Sequence, residues 1–360
     1  MGDGVSWPAG ADEVIKGDLT AAAAYLTPAG GAVVTAVAPC GIGDRERGVL
    51  GYTTSLGLGK KLERIVADPH VALAFHTREH GFSASPAFVL AQGTAVVDIT
   101  PSRQRLEAMI PQVERYMGEV KRGRVWDRLL REYYAERVFV DIAVARVAVW
   151  PDLTAAGVMR VTGAAWPGPA APQRPPAKGT GPRVDAAKAA GQIASRPHRV
   201  LAYRGADGFP VVVPVQIAGH DAAGLRLVAA PGLLPPGGRR AGLLAHAYRP
   251  QLVGLSTRIF TGWLDVGGDG ADGDGADGDG ADGNGADGDG ADGDAIVYAP
   301  HTSKGFVAPP EKNTLLVLNG LLAKYGLWQA RRHGMAGQLG RLAAARAAAS
   351  AGESEQPPPG

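Results

Sequence analysis

Residues 50–69 read LGYTTSLGLGKKLERIVADP, and the reading of the whole chain turns on them. A hydrophobic strand ends in three hydroxyls, Thr53, Thr54 and Ser55. Gly57 and Gly59 follow, where the absence of a side chain lets the backbone approach a ligand. Lys60 and Lys61 then stand in the first turn of a short helix. Its Leu62, Ile65 and Val66 share one face at spacings of three and four, and Pro69 closes it. The free N–H groups of a first helical turn, and the helix dipole, favour an anion. Hydroxyls, amides and an ammonium thus converge as a candidate phosphate site. The alternative is that the hydroxyls only cap the helix while both lysines are solvated. A P-loop is excluded, because Thr54 stands where its first glycine belongs. No G-x-G-x-x-G is formed here, nor at Gly41-Ile42-Gly43, where position 46 is Glu.

Upstream, residues 32–38 (AVVTAVA) read as a strand with 48–54 as its hairpin partner. Downstream, 71–76 and 87–97 read as strands, the second bent or bulged at Gly93. A helix starts at Thr100-Pro101 and is kinked or split at Pro111. A second helix spans 125–135, and 137–150 (RVFVDIAVARVAVW) is a long valine-rich strand. Residues 161–188 form a Pro/Gly/Ala linker. Beyond it, 198–203, 210–218 and 224–229 read as strands, AGLLAHAY (241–248) as a short helix, and 251–266 as two further strands. This order echoes the first half, with Lys60-Lys61 matched to Arg239-Arg240, Pro69 to Pro250 and Gly93 to Gly262. It implies a tandem copy. The expected domains are 1–160, 189–310 with an insertion at 267–294, helices over 311–349, and a disordered tail at 350–360.

The insertion holds five copies of GDGAD over 268–292, with Asn284 replacing one Asp. It lacks the closing Glu of an EF-hand and the large apolar residue of a calcium β-roll, so it reads as a solvated, disordered loop. Net charge is +2, yet ten Asp lie between Asp269 and Asp294, so the rest of the chain carries about +12 and favours anionic ligands. Cys40 is the only cysteine. That excludes an intramolecular disulfide and a cysteine-rich zinc site, and suits a reducing cytoplasm. The uncharged stretch 19–43 is broken by Pro28, Gly30, Gly31, Pro39 and Gly41, which argues against a membrane span. The start of the sequence lacks the basic-then-apolar order of a secretion signal.

The run Tyr52-Thr53-Thr54-Ser55, Lys61, Ile65, Asp68-Pro69, Val71-Ala72-Leu73 resembles the flavin- and deazaflavin-binding split β-barrels of the pyridoxamine 5′-phosphate oxidase-like superfamily. Gly93-Thr94-Ala95 resembles the glycine-containing strand that follows. The likeness covers residues 20–100 and extends to 137–150. It implies a mainly β fold with added α, an FMN-binding split barrel in two tandem copies plus C-terminal helices. It implies that Thr53, Thr54, Ser55, Lys60 and Lys61 bind the cofactor, with strand 32–38 along its ring. The cofactor would be FMN or a deazaflavin, with haem as a further alternative. The Ser-Arg pair expected before the lysine of pyridoxamine phosphate oxidases is absent, so the likeness does not reach vitamin B6 oxidation.

The implied function is an oxidoreductase acting on a small-molecule substrate. No catalytic side chain is named, because the cofactor carries the chemistry. The alternative is a non-catalytic protein that binds or senses flavin, deazaflavin or haem. Neither nucleic acid nor membrane is expected as a partner, and the interface is an intrachain pseudo-dimer or a homodimer. The second site near Arg239-Arg240 lacks the Thr/Ser run and reads as degenerate. No metal site is expected, since His76 and His80 lie on strand and loop. His76 is either a surface residue or a group near the cofactor. His301 and Lys304 are candidates for a pocket. Trp126, Tyr133 and Tyr134 read as packing residues, and Cys40 as inert.

Overall fold

The computed structural model describes residues 4–135, 137–267 and 295–354. The GDGAD repeat and residues 355–360 lie outside the described residues. The first half contains α1 (Ala9–Gly17), β1 (Ala21–Leu26), β2 (Ala32–Val37), β3 (Gly43–Asp44), β4 (Val49–Ser55), α2 (Gly59–Ala67), β5 (His70–Phe75), β6 (Phe88–Asp98), α3 (Arg103–Met117), α4 (Arg124–Ala135), β7 (Arg137–Trp150) and β8 (Arg160–Gly163). The second contains α5 (Ala186–Ala194), β9 (His198–Arg204), β10 (Pro210–Pro214), β11 (Gln216–Asp221), β12 (Gly224–Val228), β13 (Arg239–Ala247), β14 (Ser256–Val266) and β15 (Ile296–Val307). Two helices follow, α6 (Lys312–Arg332) and α7 (Met335–Ser354), the latter running into the segment expected as a tail. No described helix is long and apolar enough to cross a membrane.

The strands form two antiparallel sheets. The first runs β2-β1-β5-β6-β7-β4-β3, with β8 added to β7; the second runs β10-β9-β13-β14-β15-β12-β11. The second order repeats the first element for element. The bulges repeat too. β6 shifts register on β7 at Gln92/Gly93, and β14 shifts on β15 at Thr261/Gly262. A Cβ on Gly93 would strike the Ala143 carbonyl oxygen and one on Gly262 that of Ala299, so each bulge requires glycine. The expected match of Gly93 with Gly262 therefore holds.

Other expectations are corrected. Strand 48–54 pairs with β7, while β2 pairs with β1, an AAAAYL strand the sequence reading passed over. Of the residues read as a short helix at 241–248, all but Tyr248 belong to β13, and Arg239-Arg240 open that strand, so they are not counterparts of Lys60-Lys61 on α2. Of 251–266 only β14 is a strand; its partner, β15, lies across the repeat. Pro111 sits inside one continuous α3, which Ser102 caps at the Arg105 amide (3.2 Å).

The two sheets face each other through β1, β2 and β5 on one side and β9, β10 and β13 on the other. One apolar cluster joins Ala22, Ala24, Val34 and Ala74 to Leu201, Val212, Leu243 and Ala245. Small residues set the spacing: a Cβ on Gly242 would lie 2.6 Å from the Ala32 carbonyl oxygen. Tight apolar contact of this area is what holds the halves as one body.

Candidate functional site

β4 ends at the mouth of a cleft of about 350 Å³. Thr53, Thr54, Ser55 and Lys61 line it, together with Ala36, Val37 and Ala38 at the end of β2. Lys60 is exposed and lies outside the lining. The local cause is simple. Ser55 Oγ accepts the Gly57 amide (3.1 Å) and turns the chain out of the strand. Buried Leu62, Ile65 and Val66 then fix α2 so that Lys61 faces back over β4. The start of α2 has no side-chain cap, and Gly59 there is buried against Met335.

Lys61 Nζ sits 4.6 Å from the centroid of the Tyr52 ring. Burial lowers its ammonium to about 8. Arg137, the first residue of β7, donates from Nη2 to Thr53 Oγ1 (2.9 Å) and lies over the Tyr133 ring (4.9 Å). Among the described residues neither Lys61 nor Arg137 is in an ion pair with a carboxylate. Two cations and two hydroxyls thus meet at one end of the cleft. Arg137 was missed in the sequence because it comes from a distant strand; Tyr133 and Tyr134, read as packing residues, line the cleft.

Much of the remaining wall is apolar. α3 contributes Met109, Val113 and Met117, and the second half contributes Leu252, Leu255 and Leu316. Cys40 lies in the lining, buried, and burial pushes its thiol up to about 11, which leaves it a poor nucleophile. Its backbone has φ of 48°, and Gln251 and Leu252 each have 59°. All three line this cleft. Left-handed backbone at non-glycine residues costs of order 1–3 kcal/mol each and gathers at functional sites.

A second cleft, of about 710 Å³, lies beyond Trp150, Val211, Val213 and Ala230. Registering the two bulges places Val228, Ala229 and Ala230 where Thr53, Thr54 and Ser55 stand in the first half. No helix follows β12, so Lys61 has no counterpart. The linker lies here instead. Trp166 meets Trp150 edge to face (5.8 Å), and Arg239 donates to the carbonyls of Ala170 (3.1 Å), Pro235 (2.8 Å) and Pro236 (2.5 Å).

The histidines fall elsewhere. His76, just past the end of β5, and His246, on β13, occupy equivalent positions five residues beyond Val71 and Ala241, which pair with the bulge glycines. They meet between the halves with Nε2···Nε2 at 2.7 Å. His76 Nδ1 donates to the Ala74 carbonyl (3.1 Å), so its Nε2 accepts and His246 Nε2 donates. His246 Nδ1 is buried without a partner. His76 is therefore neither a surface group nor part of the cleft. His301 bonds the linker carbonyl of Thr180 (3.2 Å), away from the cleft.

The repeated strand order, with a cleft where β2 and β4 end, is decisive. Each half of the chain is a split β-barrel. No protein-family model matches the sequence, and no curated protein matches it. Among solved structures, the chain is similar to a conserved hypothetical protein of Mycobacterium tuberculosis (20% identity, 45% of this chain and 96% of that one, TM-score 0.31). It is also similar to a pyridoxamine 5′-phosphate oxidase-related, FMN-binding protein of Nostoc punctiforme (11%, 55% and 87%, TM-score 0.26). A haem-binding protein of Mycobacterium smegmatis is matched over 89% of this chain and 100% of that one, at 13% identity and a TM-score of 0.28.

Proposed function

We propose that the first barrel binds a phosphorylated flavin-type cofactor, FMN or a deazaflavin, and that the protein is an oxidoreductase acting on a small molecule. The observation that carries this reading is the pairing of an anion-seeking end with an apolar slot. Lys61 and Arg137 offer two cations that are in no ion pair with a carboxylate among the described residues, beside the Thr53 and Ser55 hydroxyls. Val37, Met109 and Leu255 supply apolar walls suited to a planar ring. When bound, such a cofactor supplies hydride transfer. The chain's own residues hold the phosphate, orient the ring and exclude water. Lys61 is the main anchor. Its lowered ammonium gains stability from an anion, so binding weakens as pH rises past about 8.

The test is fluorescence titration of the full chain with FMN and, separately, with deazaflavin. Lys61→Ala is expected to raise the dissociation constant at least tenfold, consistent with about 1.5–3 kcal/mol for a charged hydrogen bond. An unchanged constant would sink the phosphate assignment. A wild-type protein that binds neither compound would sink the cofactor.

A further inference from the structure

The far end of the same cleft is built by the second half and by α6. Lys312, the first residue of α6, lines it beside Gln251. Gly118 ends α3 with φ of 71°. A Cβ there would lie 2.7 Å from Lys312 Nζ and 2.8 Å from Gln251 Nε2, so the glycine leaves the space those two head groups fill. Glu311 makes no side-chain cap on α6. Thr20 lies in the lining with its hydroxyl buried beside the Tyr248 phenol, which burial pushes up and a side-chain hydrogen bond from that hydroxyl holds down. A lysine ammonium and a side-chain amide held together in one cleft suit a polar ligand group.

Charge selects the kind of group. Lys312 is held below the ordinary lysine range by burial and by Lys121, while Glu119 opposes that shift. Lys312, Lys121 and Glu119 together leave one uncompensated positive charge. That suits a monoanion better than a phosphate dianion.

Resting on the cofactor reading for the opposite end of the cleft, we propose that Lys312 and Gln251 form an anion subsite and that the small-molecule substrate carries a carboxylate. Residues from both halves would then be needed for one site, the first binding cofactor phosphate and the second the substrate carboxylate.

The test is calorimetric titration of the full chain with benzoate and with its neutral isostere benzamide, in the absence and presence of FMN. Wild type is expected to bind benzoate at least tenfold more tightly than benzamide. Lys312→Met should abolish that preference and Lys312→Arg should keep it, with unchanged melting temperatures. Lys312→Met should leave FMN affinity within twofold, and Lys61→Ala should leave benzoate affinity of the free protein within twofold. Equal affinity for benzoate and benzamide, no benzoate binding by wild type, or a preference that survives Lys312→Met would overturn the subsite. A protein that binds benzoate through Lys312 but no flavin would keep the subsite and reject the cofactor.

Discussion

Acid should loosen the junction between the two barrels, and the His76–His246 contact says by how much. Two neutral imidazoles share one proton between their Nε2 atoms. Protonating His76 at Nε2 would set two N–H groups against each other in a site that excludes water. Burial, with His198 and Arg78 nearby, pushes His76 down to about 3. His246 is pushed down as well, by burial and then by His76 and His198. The sign follows from linkage. The unfolded chain takes up protons that the folded chain refuses, so the stability is intact above the ordinary histidine value of about 6.5 and is lost as pH falls toward 3. At about 1.4 kcal/mol per pH unit, His76 alone accounts for about 2 kcal/mol between pH 7 and pH 5 and about 5 kcal/mol by pH 3. Asp18 acts in the opposite direction, since burial raises its carboxyl to about 8 and it is destabilised as pH rises from about 4 to 8. The effect must therefore be read as a difference between proteins. Urea unfolding followed by tryptophan fluorescence, at pH 7 and pH 5, would compare wild type with His76→Gln/His246→Gln. The amides can keep an N–H···O contact and cannot titrate. The double variant should lose at least about 2 kcal/mol less between the two pH values. Equal losses in the two proteins would refute the assignment of a buried neutral pair.

Two further outcomes test the architecture. Gly93→Ala and Gly262→Ala should each destabilise the fold by about 1–3 kcal/mol, because each added Cβ runs into a carbonyl of the adjoining strand; equal melting temperatures for wild type and both variants would show that the bulges tolerate a side chain. FMN titration should end at one molecule per chain, since the stretch Val228–Ala230 offers no hydroxyl and the Arg239 guanidinium is engaged by carbonyls. An end point of two would mean that the linker gives way to a second cofactor.

What the sequence disclosed was local. Tyr52 to Pro69 is one strand, one turn and one helix, so the hydroxyls and Lys61 could be brought together on spacing alone, whereas Arg137, Gln251 and Lys312 reach the same cleft only through the sheet order and the second half. β13 was misread because it is buried on both faces from Ala241 to His246. Continuous burial erases the alternation that marks a strand, and a short apolar run then looks like a helix. β1 was passed over for a related reason. Alanine has little strand propensity, yet the alanines of β1 are buried throughout, Ala22 and Ala24 in the apolar cluster shared with the second sheet. The pairing of His76 with His246 was recoverable in principle. VALAFH (71–76) and AGLLAH (241–246) are six-residue stretches that both close on histidine, and each leads to a strand with a bulge glycine. Matching Lys60-Lys61 to Arg239-Arg240 put the halves out of register and hid it. The basic pairs stand on unlike elements, one on a helix and one opening a strand, so nothing ties them to each other. The bulge glycine is fixed by a backbone collision, so it is the sounder anchor for aligning two diverged copies of a barrel.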